Sequence, residues 1–354
     1  MQVDRIVFAA RGVVEIESLT IDVELQPQEV LVETTCSLVS AGTELAALSG
    51  THSRSDSEGR PAWLRFPSVP GYLACGRIVA VGKDVSRGRI GERVVAEGQG
   101  VWNSHCSHLI MRSGDYKLVP VAERVSDEEA VSTKLGSIAM TAIRVLHPQF
   151  GDTMAVLGLG LVGQMAARLA VLAGTAQVVA VDPLPERRQI ASHNPGVRAV
   201  EENDLLVDDH GAEDRLAGFD HVIEASGHPD AFLLACSIAR VRGKIAVLSS
   251  PHRSLSLRLY DHIHSRGLQV LGAHGSVLPA QAEVGDRWTD GEQRRFFMQL
   301  LAEKRIDVNP LITHRVPFSQ AAEMYRGLRE DPRHYLGVLF HWNDFKGSSQ
   351  VKMV

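Results

Sequence analysis

Residues 153–163 read Thr-Met-Ala-Val-Leu-Gly-Leu-Gly-Leu-Val-Gly, and this stretch decides the fold. The first five residues form a short apolar run that predicts a buried strand, and Gly163 to Ala173 have the composition of a helix. Between the two, three glycines follow the G-x-G-x-x-G spacing. A strand, a glycine turn and a helix in this order predict the first unit of a doubly wound parallel sheet.

Each glycine of the turn has a separate physical reason to be there. The first permits the tight turn, the second lets the backbone approach a diphosphate, and the third lets the helix pack against the strand. The N-terminus of the helix then offers free N–H groups and the positive end of its dipole to phosphate oxygens. We therefore predict a dinucleotide-binding segment made of Gly158, Leu159, Gly160, Leu161, Val162 and Gly163.

The second part of the same pattern is an acidic residue at the end of the following strand. Asp182 lies 19 residues after Gly163. A carboxylate at this place accepts hydrogen bonds from both ribose hydroxyls of NAD and repels the 2′-phosphate of NADP. Pro183 and Arg187 are predicted to line the same site, and Arg187 and Arg188 could soften the preference for NAD.

The segments after the glycine turn continue to alternate between strand and helix patterns. Strands are predicted at 177–181, 221–225, 244–248 and 268–271, with a helix starting at 185, so the fold class is α/β. Ligands in such sheets bind outside the carboxyl ends of the strands. The loops that carry Ser226, Ser249 and Ser250 are therefore expected near the ribose and the nicotinamide.

The first third of the chain and its tail have a different character. Short β-rich segments at 5–10, 29–35 and 75–81 are separated by Gly, Pro and polar residues, which predicts a barrel-like β-rich domain. A helix is predicted over 127–146, with Ser126 as N-cap and Glu129 completing a capping box. The tail is predicted to hold a helix at 319–329 and a closing strand at 337–341.

Composition and charge exclude several classes of protein. The 354 residues suit two domains, and a net charge of −5 without a basic stripe argues against nucleic acid as a partner. Four cysteines without a C-x-x-C pair indicate a reduced, cytoplasmic chain. The apolar run 154–174 contains Gln164, Arg168 and several glycines, so a strand, a turn and a buried helix explain it better than a membrane span. A small-molecule substrate is expected.

Further landmarks point to a known family. The segments 40–44 (Ser-Ala-Gly-Thr-Glu), 70–72 (Pro-Gly-Tyr) and 91–94 (Gly-Glu-Arg-Val), together with the glycine turn, resemble the medium-chain dehydrogenase/reductase superfamily over nearly the whole chain. The resemblance implies a GroES-like β-rich catalytic domain at 1–130 and 275–354, and a Rossmann domain at 131–274. It also implies a homodimer that pairs through the strand at 267–272.

The residues that bind zinc in part of that superfamily are not found here. The zinc-dependent members carry Cys-Gly-Thr-Asp where this chain has Ala41 to Glu44, and Gly-His-Glu where it has Gly71 to Leu73. The third ligand region falls near 134–137, which holds no Cys, Asp or Glu. Since a catalytic zinc needs three protein ligands, no metal is predicted. Cys106, with His105 and His108 beside it, is a weaker candidate for a metal site.

A protein acid or base must then replace the metal. By resemblance, Thr43 matches the hydroxyl residue of the proton relay, and Tyr72 replaces a ligand histidine. Its phenol would donate to a carbonyl oxygen more effectively if a cation such as Lys134 lowered its pKa. Glu44 and His52 are weaker candidates. The resemblance also places Thr141 at the nicotinamide. His274, which follows the predicted strand at 268–272, is predicted to bind the cofactor or to line the substrate pocket beside it.

Three functions remain open at this point. The first is NAD(H)-dependent oxidation of a secondary hydroxyl group, or its reverse, in a polyhydroxylated or biosynthetic small molecule. It resembles the zinc-free branch of bacteriochlorophyllide-type, sugar and natural-product biosynthetic dehydrogenases. The second is an NADPH-dependent enone or quinone reductase, against which Asp182 argues. The third is a non-catalytic protein that binds NAD(P)H.

Overall fold

A computed structural model describes residues 1–55, 58, 61–98, 103–205, 218–251, 253–279, 282 and 287–342. The chain forms two compact units, Met1–Lys134 with Arg294–Val354, and Leu135–Gln293. The sequence predicts the boundaries at 130/131 and 274/275. In the structure the first boundary lies at 134/135, and the described residues between 275 and 293 belong to the second unit instead of the first. One cause is local, because the Ser137 hydroxyl donates to the Asp290 carboxylate at 2.7 Å and ties these two segments together.

The elements are numbered in chain order. The strands are β1 (Gln2–Ala10), β2 (Val13–Thr20), β3 (Glu29–Leu38), β4 (Ala74–Val81), β5 (Arg93–Ala96), β6 (His108–Arg112), β7 (Leu118–Pro120), β8 (Thr153–Leu157), β9 (Gln177–Val181), β10 (Val197–Val200), β11 (Phe219–Glu224), β12 (Ala239–Val247), β13 (Gln269–Gly272), β14 (Ile312–Pro317) and β15 (Gly337–His341). The helices are α1 (Ala41–Ser49), α2 (Asp127–Ala130), α3 (Thr133–Leu146), α4 (Leu161–Leu172), α5 (Pro185–Ser192), α6 (Glu202–Leu205), α7 (Pro229–Ile238), α8 (Asp290–Ala302) and α9 (Ala321–Glu330).

The second unit is built on a parallel sheet in the strand order β10-β9-β8-β11-β12-β13. Buried apolar residues make up most of β8 and β9 and the centre of β11, because both faces of such a sheet are covered. The chain runs outward to one side from β8 and to the other side from β11, so the strand order reverses between these neighbours. Leu157 and Glu224 end them in register, which places the following turns side by side.

The first unit is rich in β-strands, as expected. β1 and β2 form an antiparallel hairpin, and a second sheet runs β14-β15-β3-β4-β5-β7 with β6 beside β3. The β14–β15 pair is parallel, and β3 pairs antiparallel with β15, β4 and β6. Phe8, Tyr325 and Phe340 are among the largest buried side chains, and they pack α9 against this β-rich framework.

The predicted helix over 127–146 is interrupted. The capping box of Ser126 and Glu129 is confirmed, but α2 ends at Ala130 and α3 begins at Thr133. The Ser132 hydroxyl donates to the Glu129 carbonyl, and the Thr133 hydroxyl donates to the Ala130 carbonyl, both at 2.6 Å. Hydroxyl groups that bond the preceding turn compete with the helical ladder, which accounts for the break.

The apolar run 154–174 is divided as the sequence predicts. It contributes most of β8, then the glycine turn, then α4, so its side chains are buried inside the second unit. Within the described ranges, none of the helices has the length and apolar character that crossing a membrane requires.

Candidate functional site

In the turn that follows β8, two of the three glycines are required by the packing of the protein, whether or not a ligand is bound. Gly158 has φ of +91°, and a Cβ there would lie 2.7 Å from the Ser226 Cβ. At Gly163, a Cβ would lie 1.8 Å from the Gly158 carbonyl oxygen. Backbone atoms have no rotamer with which to escape such an overlap, so larger residues do not fit at either position.

Gly160 differs from its two neighbours in the motif. A Cβ there would meet nothing within 4 Å, and its φ of −64° suits any residue. It is the N-cap of α4, and no side chain of the described residues caps it. The turn therefore leaves an open approach over an uncapped helix N-terminus, which is the surface that a bound diphosphate uses. These residues fit a dinucleotide.

Asp182 follows β9 and is 4% exposed. Its Oδ2 accepts the Leu159 N–H at 2.7 Å, and its Oδ1 accepts the Leu184 N–H at 2.9 Å. The Asp182 carboxylate therefore helps to fix the conformation of the glycine turn. The sequence predicts that both bind the same dinucleotide. Each carboxylate oxygen accepts more than one hydrogen bond, so capacity remains for ribose hydroxyls.

Two arginines surround this acid. The Arg187 Nη1 lies 3.9 Å from the Asp182 Oδ2, and the Gln164 amide donates to the Arg187 carbonyl at 2.7 Å. Arg188 turns its Nη1 to the carbonyls of Asp182 and Pro183, at 2.7 and 2.9 Å. Arg187 is therefore the arginine whose charge partly offsets the acid at the predicted ribose position.

Glu224 ends β11 and organises two loops at the carboxyl edge of the sheet. It is 2% exposed, and its Oε1 accepts the Ser226 N–H at 2.8 Å, the Ser226 hydroxyl at 2.6 Å and the Gly227 N–H at 2.9 Å. Its other oxygen accepts the Ser249 hydroxyl. Sequence reasoning selected the two serines as ligand contacts and overlooked the acid that holds them. An acidic residue at the end of an apolar strand was the available signal.

The other residues predicted to meet the nicotinamide have local partners. Thr141 is fully buried, and its hydroxyl donates to the Ser137 carbonyl at 3.1 Å, one turn earlier in α3. His274 is exposed, with its Nδ1 2.7 Å from the Ser276 hydroxyl. Ser250 is exposed at the end of its loop. Their predicted contacts with a cofactor stay predictions.

A cluster of three hydroxyl groups forms the second candidate feature, in the first unit. The Ser40 and Tyr72 hydroxyl oxygens lie 2.6 Å apart, and the Thr43 side chain is near enough to Tyr72 to lower its pKa. Ser40 is the N-cap of α1, and Thr43 lies in its first turn. The structure therefore brings the predicted Thr43 and Tyr72 together and adds Ser40, which sequence reasoning missed.

The pKa of Tyr72 depends on its burial and on the charged groups near it. Burial, followed by the charges of Glu44 and Glu97, raises the pKa of Tyr72 from 10.0 to about 12, although hydrogen bonds from the neighbouring hydroxyls oppose the shift. The charges that act on this pKa are those of two acids, and the condition that a cation lowers it is not met among the causes of the shift. Lys134 lies half-buried in α3, and its catalytic role stays a prediction. His52 packs edge-on against a tryptophan ring at 5.1 Å.

A buried polar network lies behind the hydroxyl cluster. One Glu44 oxygen contacts the His105 Nε2 at 3.0 Å and accepts the Tyr325 hydroxyl. The His105 Nδ1 lies 2.8 Å from the Ser37 hydroxyl. Its members come from distant parts of the chain, so no local sequence pattern could predict that they form one network.

The residues present do not fit the zinc site of the metal-dependent relatives. Ala41 and Tyr72 stand at two of the ligand positions, and neither side chain is a zinc ligand of that family. Near Cys106, His105 is committed to the buried network, and burial raises the pKa of the Cys106 thiol to about 11. Across the described part of the chain, no group of three or more His, Cys, Asp or Glu side chains is placed to hold a metal ion.

Two family models match the chain. The alcohol dehydrogenase GroES-like domain matches residues 26–170, and the family described as zinc-binding dehydrogenase matches residues 162–286. The predicted fold, a GroES-like domain with a Rossmann-like parallel sheet, is confirmed. The second description refers to a metal whose ligands this chain does not carry at the expected positions.

Curated and solved proteins agree with these matches. The L-threonine 3-dehydrogenase of Pectobacterium atrosepticum is 26% identical over 327 residues, covering 84% of this chain and 85% of the relative. A short chain alcohol dehydrogenase of Escherichia coli CFT073, solved with NADH, has a TM-score of 0.77 at 19% identity, covering 96% of this chain and 99% of that one. A putative zinc-binding dehydrogenase of Sinorhizobium meliloti 1021, solved with NADP, has the same TM-score and coverage at 17% identity. The chain is a nicotinamide-dependent oxidoreductase that acts on CH–OH groups, and it belongs to the medium-chain dehydrogenase/reductase superfamily.

Proposed function

We propose that this protein is an NAD(H)-dependent dehydrogenase that works without zinc. Its substrate is a secondary hydroxyl group of a polyhydroxylated or biosynthetic small molecule, or the corresponding ketone in the reverse direction. The observation that carries the proposal is the open glycine turn at 158–163, whose Leu159 N–H donates to the Asp182 carboxylate just after β9.

The preference for NAD rests on Asp182. Its carboxylate would accept the ribose hydroxyls and disfavour an added 2′-phosphate. Arg187, 3.9 Å away, reduces that repulsion without removing it, because a single cation faces a carboxylate that already accepts two N–H groups. We therefore expect NADP to bind measurably but more weakly than NAD.

The chemistry of the reaction assigns the proton to the chain itself. Oxidation of a secondary alcohol removes a hydride from carbon and a proton from oxygen, and reduction of the ketone returns both. A bound nicotinamide takes up or supplies the hydride. Tyr72 holds the proton in this proposal, because a pKa of about 12 keeps its phenol neutral and able to donate to a carbonyl oxygen. The Ser40 hydroxyl, 2.6 Å from the phenol oxygen, can exchange a proton with it, and Thr43 keeps its predicted place in the proton relay.

The proposal extends to substrate and partner. The relative named for L-threonine acts on a molecule whose reacting group is a secondary hydroxyl, so polar secondary alcohols are the first candidates. A homodimer through β13 is also proposed. β13 ends the described strand order, and its residue Val270 is 39% exposed. Paired edges would cover a strand that otherwise presents unbonded backbone groups.

The test is turnover by protein that has been stripped of metal. After chelator treatment and confirmation of its metal content, the protein would be assayed with NAD⁺ or NADP⁺ against L-threonine, acyclic diols and sugar alcohols. We expect NAD⁺-dependent turnover that added zinc does not increase. Activity that requires stoichiometric zinc would contradict the zinc-free mechanism. Reduction of a quinone by NADPH, without oxidation of any alcohol, would favour the reductase alternative.

A further inference from the structure

We propose that Glu44 is the positioning residue of the reaction: its buried carboxylate fixes Ser40, and through Ser40 it aims the Tyr72 hydroxyl. The inference rests on the proposed function in one respect, namely that Tyr72 donates to the substrate. The geometry behind it lies entirely within the first unit. It concerns a group that touches neither substrate nor cofactor.

The Glu44 carboxyl group is buried and held by hydrogen bonds. It is 3% exposed, and its Oε1 accepts the Ser40 N–H at 2.7 Å. Its Oε2 faces the His105 Nε2 at 3.0 Å and accepts the Tyr325 hydroxyl. No lysine or arginine of the described chain pairs with it. Its described partners are therefore a backbone N–H, a histidine ring and a tyrosine hydroxyl, which hold the carboxyl group in one place.

The histidine in this network lies between a serine hydroxyl and the Glu44 carboxyl group. The Trp342 indole N–H can only donate, and it donates to the Ser37 oxygen at 2.9 Å. The Ser37 hydroxyl oxygen lies 2.8 Å from the His105 Nδ1, and the His105 Nε2 lies 3.0 Å from the Glu44 Oε2. When Ser37 donates to Nδ1, Nε2 carries the ring proton and the hydrogen bonds run from Trp342 to Glu44.

Two paths connect the network to Tyr72. Along the first, Glu44 holds the Ser40 N–H, and the Ser40 hydroxyl meets the phenol at 2.6 Å. Along the second, the His105 ring packs against the residue that precedes Tyr72. A Cβ on Gly71, whose φ is +91°, would lie 2.5 Å from the His105 ring. Glu44 therefore fixes both the hydroxyl partner of the phenol and the ring beneath its backbone.

The charges around Tyr72 separate this acid from the other one nearby. Glu97 also raises the pKa of Tyr72, but it is paired with Arg294 and lies 3.9 Å from the Lys117 ammonium. Glu44 has no such partner in the described residues. Burial raises the pKa of Tyr72 most, Glu44 raises it further, and the Ser40 hydrogen bond lowers it. A glutamine at position 44 removes the carboxyl group but can still accept the Ser40 N–H, so we expect it to lower this pKa, whereas loss of the Ser40 hydroxyl should raise it.

The test uses Glu44→Gln and Ser40→Ala in the full chain labelled with 3-fluorotyrosine. The chain has five tyrosines, and Tyr72→Phe identifies the relevant fluorine signal. We expect the apparent pKa of fluorinated Tyr72 to fall in Glu44→Gln and to rise in Ser40→Ala. Each variant should lose about 100-fold in kcat, the scale of a misplaced reacting group, with unchanged affinity for NADH. Glu323→Gln, the same change at an exposed position of α9, is the matched control and should match wild type.

The outcomes separate this inference from the proposed function. An unmoved Tyr72 signal in both variants, or shifts in the same direction, would overturn the role of Glu44 even if the enzyme turns over alcohols. Shifted signals with wild-type kcat would overturn it equally. Absence of turnover by the wild type would instead contradict the proposed function. Should Glu44→Gln fail to fold, Ser40→Ala and Tyr325→Phe still test the network from its two sides.

Discussion

The glycine turn of the second unit and the hydroxyl cluster of the first unit are built in opposite ways. At the turn, backbone atoms decide, since Gly158 and Gly163 are fixed by overlaps that any Cβ would create. In the cluster, side chains decide, since Ser40 and Tyr72 are brought together from different segments by hydrogen bonds. We therefore expect substitutions in the two regions to have different effects. Substitutions in the turn should lower stability or cofactor affinity, whereas substitutions in the cluster should lower kcat.

The largest effect is expected at Gly163. In Gly163→Ala, the new Cβ would lie 1.8 Å from the Gly158 carbonyl oxygen, so α4 must move away from β8. We expect a loss of about 3 kcal/mol in the free energy of unfolding, near the upper end for overpacking. Chemical denaturation would measure it. Gly160→Ala is the matched control, because its Cβ meets no atom within 4 Å. Equal stability losses in both variants would contradict the view that packing requires Gly163 and that only ligand binding requires Gly160.

The cluster should respond in rate alone. Tyr72→Phe keeps the ring and removes the hydroxyl that meets Ser40 at 2.6 Å. We expect kcat to fall about 100-fold, the usual scale for a lost acid or base, with the Kd for NADH unchanged. Steady-state kinetics and fluorescence titration separate the two quantities. A variant with wild-type kcat would show that the phenol only fills space.

A smaller effect is expected at the acid beside the turn. Asp182→Asn removes the negative charge that opposes a 2′-phosphate and leaves Arg187 nearby. We expect the ratio of NADPH to NADH affinity to rise about 10-fold, or about 1.4 kcal/mol. Parallel titrations with the two cofactors would measure the ratio. An unchanged ratio would mean that cofactor choice lies elsewhere.

The smallest effect should come from Ser226. In Ser226→Ala, Glu224 loses a donor at 2.6 Å but keeps the Ser226 and Gly227 N–H groups and the Ser249 hydroxyl. We expect a loss of about 1 kcal/mol in stability and little change in NADH affinity. A large loss of affinity would instead support the sequence-based prediction that Ser226 contacts the cofactor.

Local patterns explain which parts could be predicted from the sequence. β8, β9 and β15 begin and end at the predicted residues because short apolar runs between turn residues leave little choice. The helix over 127–146 was predicted unbroken because hydrophobic spacing does not register the two hydroxyls that interrupt it. Ser319 to Arg329 was close, since α9 covers Ala321–Glu330.

The candidate site divides along the same line. The glycine turn and Asp182 could be found because their spacing is fixed along the chain. The buried network could not be, because Glu44, His105 and Tyr325 become neighbours only in the folded first unit. The raised pKa of Tyr72 could not be predicted either, since it depends on burial and on two acids distant in the sequence.

The central claim is that the turn at 158–163 holds the diphosphate of NAD. Calorimetric titration of NADH into wild type and into Gly160→Ala tests it most directly, because this substitution adds a single methyl group where the protein has no atom within 4 Å. The account predicts one NADH per chain for wild type. For the variant it predicts affinity reduced at least about 10-fold, or about 1.4 kcal/mol, with a loss of stability well below that of Gly163→Ala. Equal affinity in the two proteins, or no binding by wild type, would contradict it.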